Sequence, residues 1–87
     1  MNVICTYDIS SGTTSTKVKK VLRRYLFHIQ NSVFHGEITP HQFKKLKDEL
    51  GQLIANEEDQ VIFFYTQENK QLKECTIGKD HECENII

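Results

Sequence analysis

The chain predicts an α+β domain of the βαββαβ type, with two helices on one face of an antiparallel sheet. Three observations carry that expectation. The first residues alternate as a half-buried strand does. Two later segments repeat apolar residues at helical spacing. A continuous apolar run near residue 60 reads as a strand covered on both faces.

Residues 2–7 form the first expected strand: Val3, Cys5 and Tyr7 alternate with Ile4 and Thr6, and the strand ends on Asp8. Residues 10–16 are small and polar and read as a loop, any of whose last hydroxyls can cap a helix. Lys17 to about Ile29 follows as a helix, with Val18, Val21, Leu22, Tyr25 and Ile29 on one stripe. Asn31 to Ile38 reads as a strand around Val33 and Phe34, with Gly36 marking a bend or bulge. Thr39-Pro40-His41-Gln42 is a helix start: a capping threonine, proline at the first position and glutamine at the third. Phe43, Leu46, Leu50, Leu53 and Ile54 supply that helix's apolar face. A charged turn, Glu57-Glu58-Asp59, leads into the strand Gln60–Thr66, and Leu72–Ile77 makes another strand that Gly78 ends. The split βαβ, or ferredoxin-like, sandwich is the natural assembly. It divides the chain into a domain over residues 1–78 and a C-terminal tail over 79–87. With no third layer available, the second sheet face stays apolar and bare, which predicts a partner. The tail's Ile86 and Ile87 are expected to pair across a dimer or to dock a partner.

Eighty-seven residues make one domain with a modest core. No apolar run is long enough to span a bilayer, and the N-terminal segment lacks the basic start of a signal peptide, so no membrane role and a cytoplasmic location are expected. Three cysteines, an odd number without C-x-x-C, do not suggest a disulfide framework. Cys75, His81 and Cys83 fall one ligand short of a zinc set and lack its spacing, so Cys75 and Cys83 read as semi-exposed thiols. His28, His35, His41 and His81 form no metal or catalytic motif.

The net charge of −1 hides an asymmetry. Residues 1–50 carry eight Lys/Arg against four Asp/Glu, and residues 51–87 carry three against eight. Lys17, Lys19, Lys20, Arg23 and Arg24 crowd one short helix without interleaved acids, a pattern suited to a phosphate backbone. Lys44, Lys45 and Lys47 add a weaker cluster. Asp8, held at a strand end and open to solvent, stands where catalytic or metal-binding carboxylates are common. A two-fold dimer would double it. A strand-end aspartate is also an ordinary loop or capping residue, and a basic helix an ordinary solvated face.

The segments Val3-Ile4-Cys5-Thr6-Tyr7-Asp8-Ile9, Lys17-Val18 and Ile29-Gln30-Asn31-Ser32-Val33-Phe34-His35-Gly36-Glu37 resemble CRISPR-associated protein family two. This is the small spacer-acquisition protein also described as an endoribonuclease. The match runs in order from residue 1 to about 78. The resemblance implies a ferredoxin-like homodimer in which Asp8 faces its symmetry mate and the pair binds Mg²⁺ or another divalent cation. It places Tyr7 beside that site, matches Phe34 to the family's aromatic, and puts Lys17 where many members have arginine. Tyr7, Asp8 and Phe34 are thus the expected catalytic residues, with Asp8 the metal ligand. Lys17, Lys19, Lys20, Arg23 and Arg24 are the expected nucleic-acid contacts.

The implied partners are the CRISPR integrase subunit and duplex prespacer DNA, which the dimer captures for integration into the CRISPR array. Single-stranded RNA is a further substrate class for a metal-dependent endonuclease. Ser15 and His28 stand where arginines occur in members of the family. Fewer fixed cations stabilise the transition state less, which predicts a weak or vestigial activity. The alternative is a stand-alone, toxin-like endoribonuclease of the same fold.

Overall fold

The computed structural model describes residues 1–55, 57–67, 70–79 and, as backbone, 82–86. Eight elements follow in order: β1 (Asn2–Asp8), α1 (Gly12–Arg23), β2 (Phe27–Gln30), β3 (Val33–Glu37), α2 (Pro40–Gly51), β4 (Gln60–Thr66), β5 (Lys73–Gly78) and β6 (Glu82–Ile86). The sheet order is β2-β3-β1-β4-β5-β6, antiparallel at every pairing. Its first four strands and both helices are the ferredoxin-like βαββαβ unit, and β5 and β6 extend the sheet beyond β4.

Two boundaries differ from the sequence expectation. Helix α1 starts at Gly12 rather than Lys17, because Ser11 caps it: the Ser11 hydroxyl accepts from the Thr14 amide at 3.3 Å. Thr16 adds a bond from its hydroxyl to the Gly12 carbonyl. The helix stops at Arg23, where the amides of Arg24 and Tyr25 turn back to the carbonyls of Val21 and Leu22. The expected helix end therefore becomes β2, one arm of a hairpin whose other arm is β3. Asn31 makes the turn with φ of 39°, a left-handed conformation asparagine tolerates better than most residues. Ile29 leaves the helical stripe and lies 59% exposed on β2. The irregularity foreseen at Gly36 falls instead in β2, between His28 and Gln30. Gly36 is a regular strand position whose missing side chain admits Leu26.

Helix α2 begins as expected. The Thr39 hydroxyl accepts from the Gln42 amide at 3.1 Å, and the Gln42 side chain accepts from the Thr39 amide at 2.9 Å.

Both helices cover one sheet face. Val18 and Leu22 of α1 and Phe43, Leu46 and Leu50 of α2 meet Val3, Cys5, Phe34, Val61, Phe63, Tyr65, Cys75 and Ile77 of the sheet in one buried core. Phe43 stands edge-on to Phe63, with ring centres 5.2 Å apart and planes at 83°. Strand β4 alternates rather than being buried on both sides: Val61, Phe63 and Tyr65 face the helices, while Ile62 and Phe64 are half-buried on the other face. Ile4 lies exposed on this open face, and Phe27, paired with His35, the cross-strand partner of Ile4, joins it at 76% exposure.

The cysteine expectation is corrected in part. Cys75 is fully buried and disulfide-bonded, not a semi-exposed thiol. It faces the core because β5 runs beside β4 with Cys75 opposite the inward-pointing Phe63. Cys5 is a free, buried thiol. The side chains of Cys83 and Ile86, and all of Asp80, His81 and Ile87, lie outside the described residues. In backbone terms β6 pairs with β5 of the same chain.

Candidate functional site

Strand alternation decides what the end of β1 offers. Val3, Cys5 and Tyr7 face the helices, so Ile4, Thr6 and Asp8 face the open side. Asp8 is exposed, opposite Gln60 of β4. The Gln60 side chain in turn donates to the Lys79 carbonyl at 3.3 Å, joining this end of the sheet to the end of β5. Asp8 is thus a carboxylate on a rigid strand terminus, reached from solvent and from the apolar open face.

Tyr7 lies in the opposite layer. Its ring tilts against Phe34 at 6.2 Å, and His28 stacks on Phe34 at 4.6 Å. Phe34 itself is wholly buried. The Tyr7 hydroxyl is shielded from solvent without a well-formed hydrogen bond. Ser15 stands near enough to favour the phenolate slightly, but its contact lacks the geometry of a bond, and burial dominates and pushes the phenol's pKa up. The expected trio of Tyr7, Asp8 and Phe34 is therefore divided by the sheet. Asp8 meets solvent, while Tyr7 and Phe34 support the same strand end from the core side. Cys5 is no nucleophile, since burial raises its pKa far above the ordinary thiol value.

The cations lie on the outer surface of α1. Lys17, Lys20 and Arg23 are exposed and Lys19 is half-buried. Arg24 differs from them. It bonds Glu49 of α2 at 2.7 Å, and Tyr25 donates to the other oxygen of the same carboxylate at 2.5 Å. The hydrogen bond from Tyr25, then that from Arg24, holds the Glu49 carboxyl below its usual pKa. The acids missing along α1 are thus supplied in part by α2, which sequence spacing could not reveal.

One residue the sequence reading placed in a charged turn has a larger part. Asp59 is buried, at 3% exposure. One of its carboxylate oxygens accepts from the Ser10 amide at 3.1 Å and the Ser10 hydroxyl at 3.3 Å, and the other accepts from the Ala55 amide at 2.8 Å. Its own carbonyl accepts from the Lys79 amide at 2.8 Å. Sequence offered three acids in a row and no sign of which one turns inward.

Among the described residues, no three His, Cys, Asp or Glu side chains gather as a metal cage. Among the described carboxylates of β1 and β4, Asp8 is the one on the open face at this end. Magnesium is commonly held by one or two carboxylates with waters and substrate phosphates completing the shell. Asp8 fits such a site as a contributor, and a second copy would supply the other carboxylate.

The fold and this strand-end carboxylate define a small ferredoxin-like protein with a solvent-facing acid and a basic helix in separate layers. The family described as CRISPR associated protein Cas2 matches residues 1–74. The chain belongs to that family. It is 42% identical over 64 residues to "CRISPR-associated endoribonuclease Cas2" of Thermococcus kodakarensis, covering 74% of each chain. It is 38% identical over 78 residues to the protein of that name from Thermotoga maritima, covering 90% of this chain and 88% of the other. The crystal structure of Streptococcus pyogenes Cas2 at pH 6.5 superposes with a TM-score of 0.71 at 31% identity, covering 79% of this chain and 89% of that one.

Proposed function

We propose that this protein acts as a homodimer in CRISPR adaptation, holding duplex prespacer DNA together with the integrase subunit, and that paired Asp8 carboxylates give it a magnesium-dependent endonuclease activity. The observation that carries this reading is the position of Asp8, exposed at the end of β1 on the same face as Ile4. Two copies meeting through that apolar face bury Ile4 and Phe27 and bring their Asp8 side chains toward one axis.

The residues then divide the work. Asp8 from each copy would hold the ion, and bound magnesium would supply positive charge beside the phosphodiester. Tyr7 and Phe34 keep the strand end from shifting. Lys17, Lys19, Lys20 and Arg23 lie in the helical layer, away from the open face, so dimerisation leaves them free on the outside. Cations placed there contact a duplex through its phosphates, without reading bases. No helix among the described residues is long and apolar enough to cross a membrane.

The relatives named endoribonuclease support RNA as a substrate class beside DNA. The test compares wild type with Asp8→Asn on single-stranded RNA and on duplex DNA, with and without magnesium. Cleavage that requires both Asp8 and the ion is expected. Equal cleavage by the two proteins would refute the nuclease part. Prespacer capture by the complex with the integrase subunit, measured with the same variant, tests the adaptation role separately and is expected to persist.

A further inference from the structure

We infer that Asp59 is a positioning residue for Asp8, acting through Ser10. The inference rests on the reading of Asp8 as the site's carboxylate, and its support is geometric. After Asp8 the chain leaves the sheet through Ile9 and Ser10 and enters α1 at the Ser11 cap. The pairing of β1 with β3 ends at Thr6, so Asp8 is paired on one side only, with Gln60, and Ser10 anchors the chain just beyond it. Its amide and hydroxyl both donate to one Asp59 oxygen, at 3.1 and 3.3 Å, and its hydroxyl also lies 3.3 Å from a Glu58 oxygen.

Asp59 is itself immobilised. Its second oxygen accepts from the Ala55 amide, its amide donates to the Ala55 carbonyl at 2.8 Å, and its carbonyl accepts from Lys79. Asp59 therefore joins the β1–α1 loop to the α2–β4 turn through its carboxylate, and to the end of β5 through its backbone carbonyl. These are the segments around the Asp8 end of the sheet, where Gln60, the partner of Asp8, also bonds the Lys79 carbonyl.

A carboxylate suits this place because all three donors point at it: two N–H groups and one hydroxyl. An amide cannot replace it. If the Asn oxygen takes the Ser10 donors, its NH₂ confronts the Ala55 amide, donor against donor.

The experiment uses the full chain and three proteins: wild type, Asp59→Asn and Asp8→Asn. Circular dichroism and urea unfolding establish that each is folded. Amide hydrogen exchange is read at Ile9 and Ser10 and, as an internal reference, at Val61–Phe63. Mn²⁺ binding is read by titration. In Asp59→Asn, exchange at Ile9 and Ser10 should quicken about tenfold or more, while the β4 amides keep their protection. Mn²⁺ affinity should fall several-fold but not vanish.

Unchanged exchange at Ile9 and Ser10 overturns the inference. So does an equal loss of protection at β4, which would make Asp59 a purely global stabiliser. A loosened loop with Mn²⁺ affinity intact overturns it too, provided Asp8→Asn abolishes binding. If Asp8→Asn leaves Mn²⁺ binding untouched, the metal reading of Asp8 fails, and the positioning claim stands or falls on the exchange data alone. Should Asp59→Asn not fold, Ser10→Ala, which removes only the hydroxyl donor, replaces it and should quicken exchange at Ile9 and Ser10 by a smaller factor. No change there overturns the inference.

Discussion

The carbonyl oxygen of Asp59 occupies the space a β-carbon on Gly78 would need, only 2.2 Å from where that atom would stand. Gly78 also has φ of +96°, a conformation L side chains rarely adopt. The close approach lets the Lys79 amide reach the Asp59 carbonyl and close β5 over the turn before β4.

Gly78→Ala should therefore destabilise the fold by roughly 3 kcal/mol, combining backbone strain with a clash against main chain that cannot swing aside. Urea unfolding measures it. A loss below about 1 kcal/mol would mean that this junction relaxes far more easily than the packing implies.

Acid should weaken the same junction. The Ala55 amide, with Ser10 adding to it, holds the Asp59 carboxyl below its ordinary value near 3.8, against an opposing push from burial. A carboxyl whose pKa is lower folded than unfolded binds fewer protons in the native state. Its contribution is full above the unfolded value, and it is lost as pH falls from about 4 through the folded one. Unfolding free energy measured along a pH series should drop in that window for wild type and drop less for Asp59→Asn. Parallel curves would show that other carboxylates set the acid response.

Charge on the open face should block self-association. Ile4→Lys combined with Phe27→Lys leaves the core untouched, because both side chains already face solvent. Light scattering after size exclusion should report a dimer for wild type and a monomer for the variant, with circular dichroism unchanged. A dimer that survives both lysines would place the interface elsewhere.

Reversing Lys17, Lys20 and Arg23 to Glu should weaken duplex binding and flatten its dependence on salt, by about 0.9 in log–log slope for each phosphate that is no longer neutralised. Arg24→Ala should matter less for binding, since its guanidinium is engaged by Glu49. Equal effects from Arg24 and Arg23 would contradict that division.

Much of the domain was readable from local chemistry. The Thr39–Gln42 capping box carries its own hydrogen bonds, so the start of α2 was plain, and alternation made β1 and β4 plain as well. The β2–β3 hairpin was hidden because Tyr25 and Ile29 keep helical spacing with Val18 and Leu22, and only the turn-back after Arg23 ends the helix. At the site, Asp8 could be singled out by its place after a strand. Its separation from Tyr7 and Phe34 follows from alternation and could have been foreseen. The inward turn of Asp59 could not, because it depends on Ser10 and Ala55, distant in sequence or unremarkable in type. The burial of Cys75 likewise depends on its register against Phe63 of β4.

Tyr7 and Asp8 are joined by a single peptide bond yet belong to different layers. Selection can therefore act on them separately. A lineage that no longer needs to cut phosphodiesters can replace the acid and keep the architecture, whereas replacing the phenol would disturb packing first. Descendants with an intact scaffold and a silent strand end are the expected product of such drift.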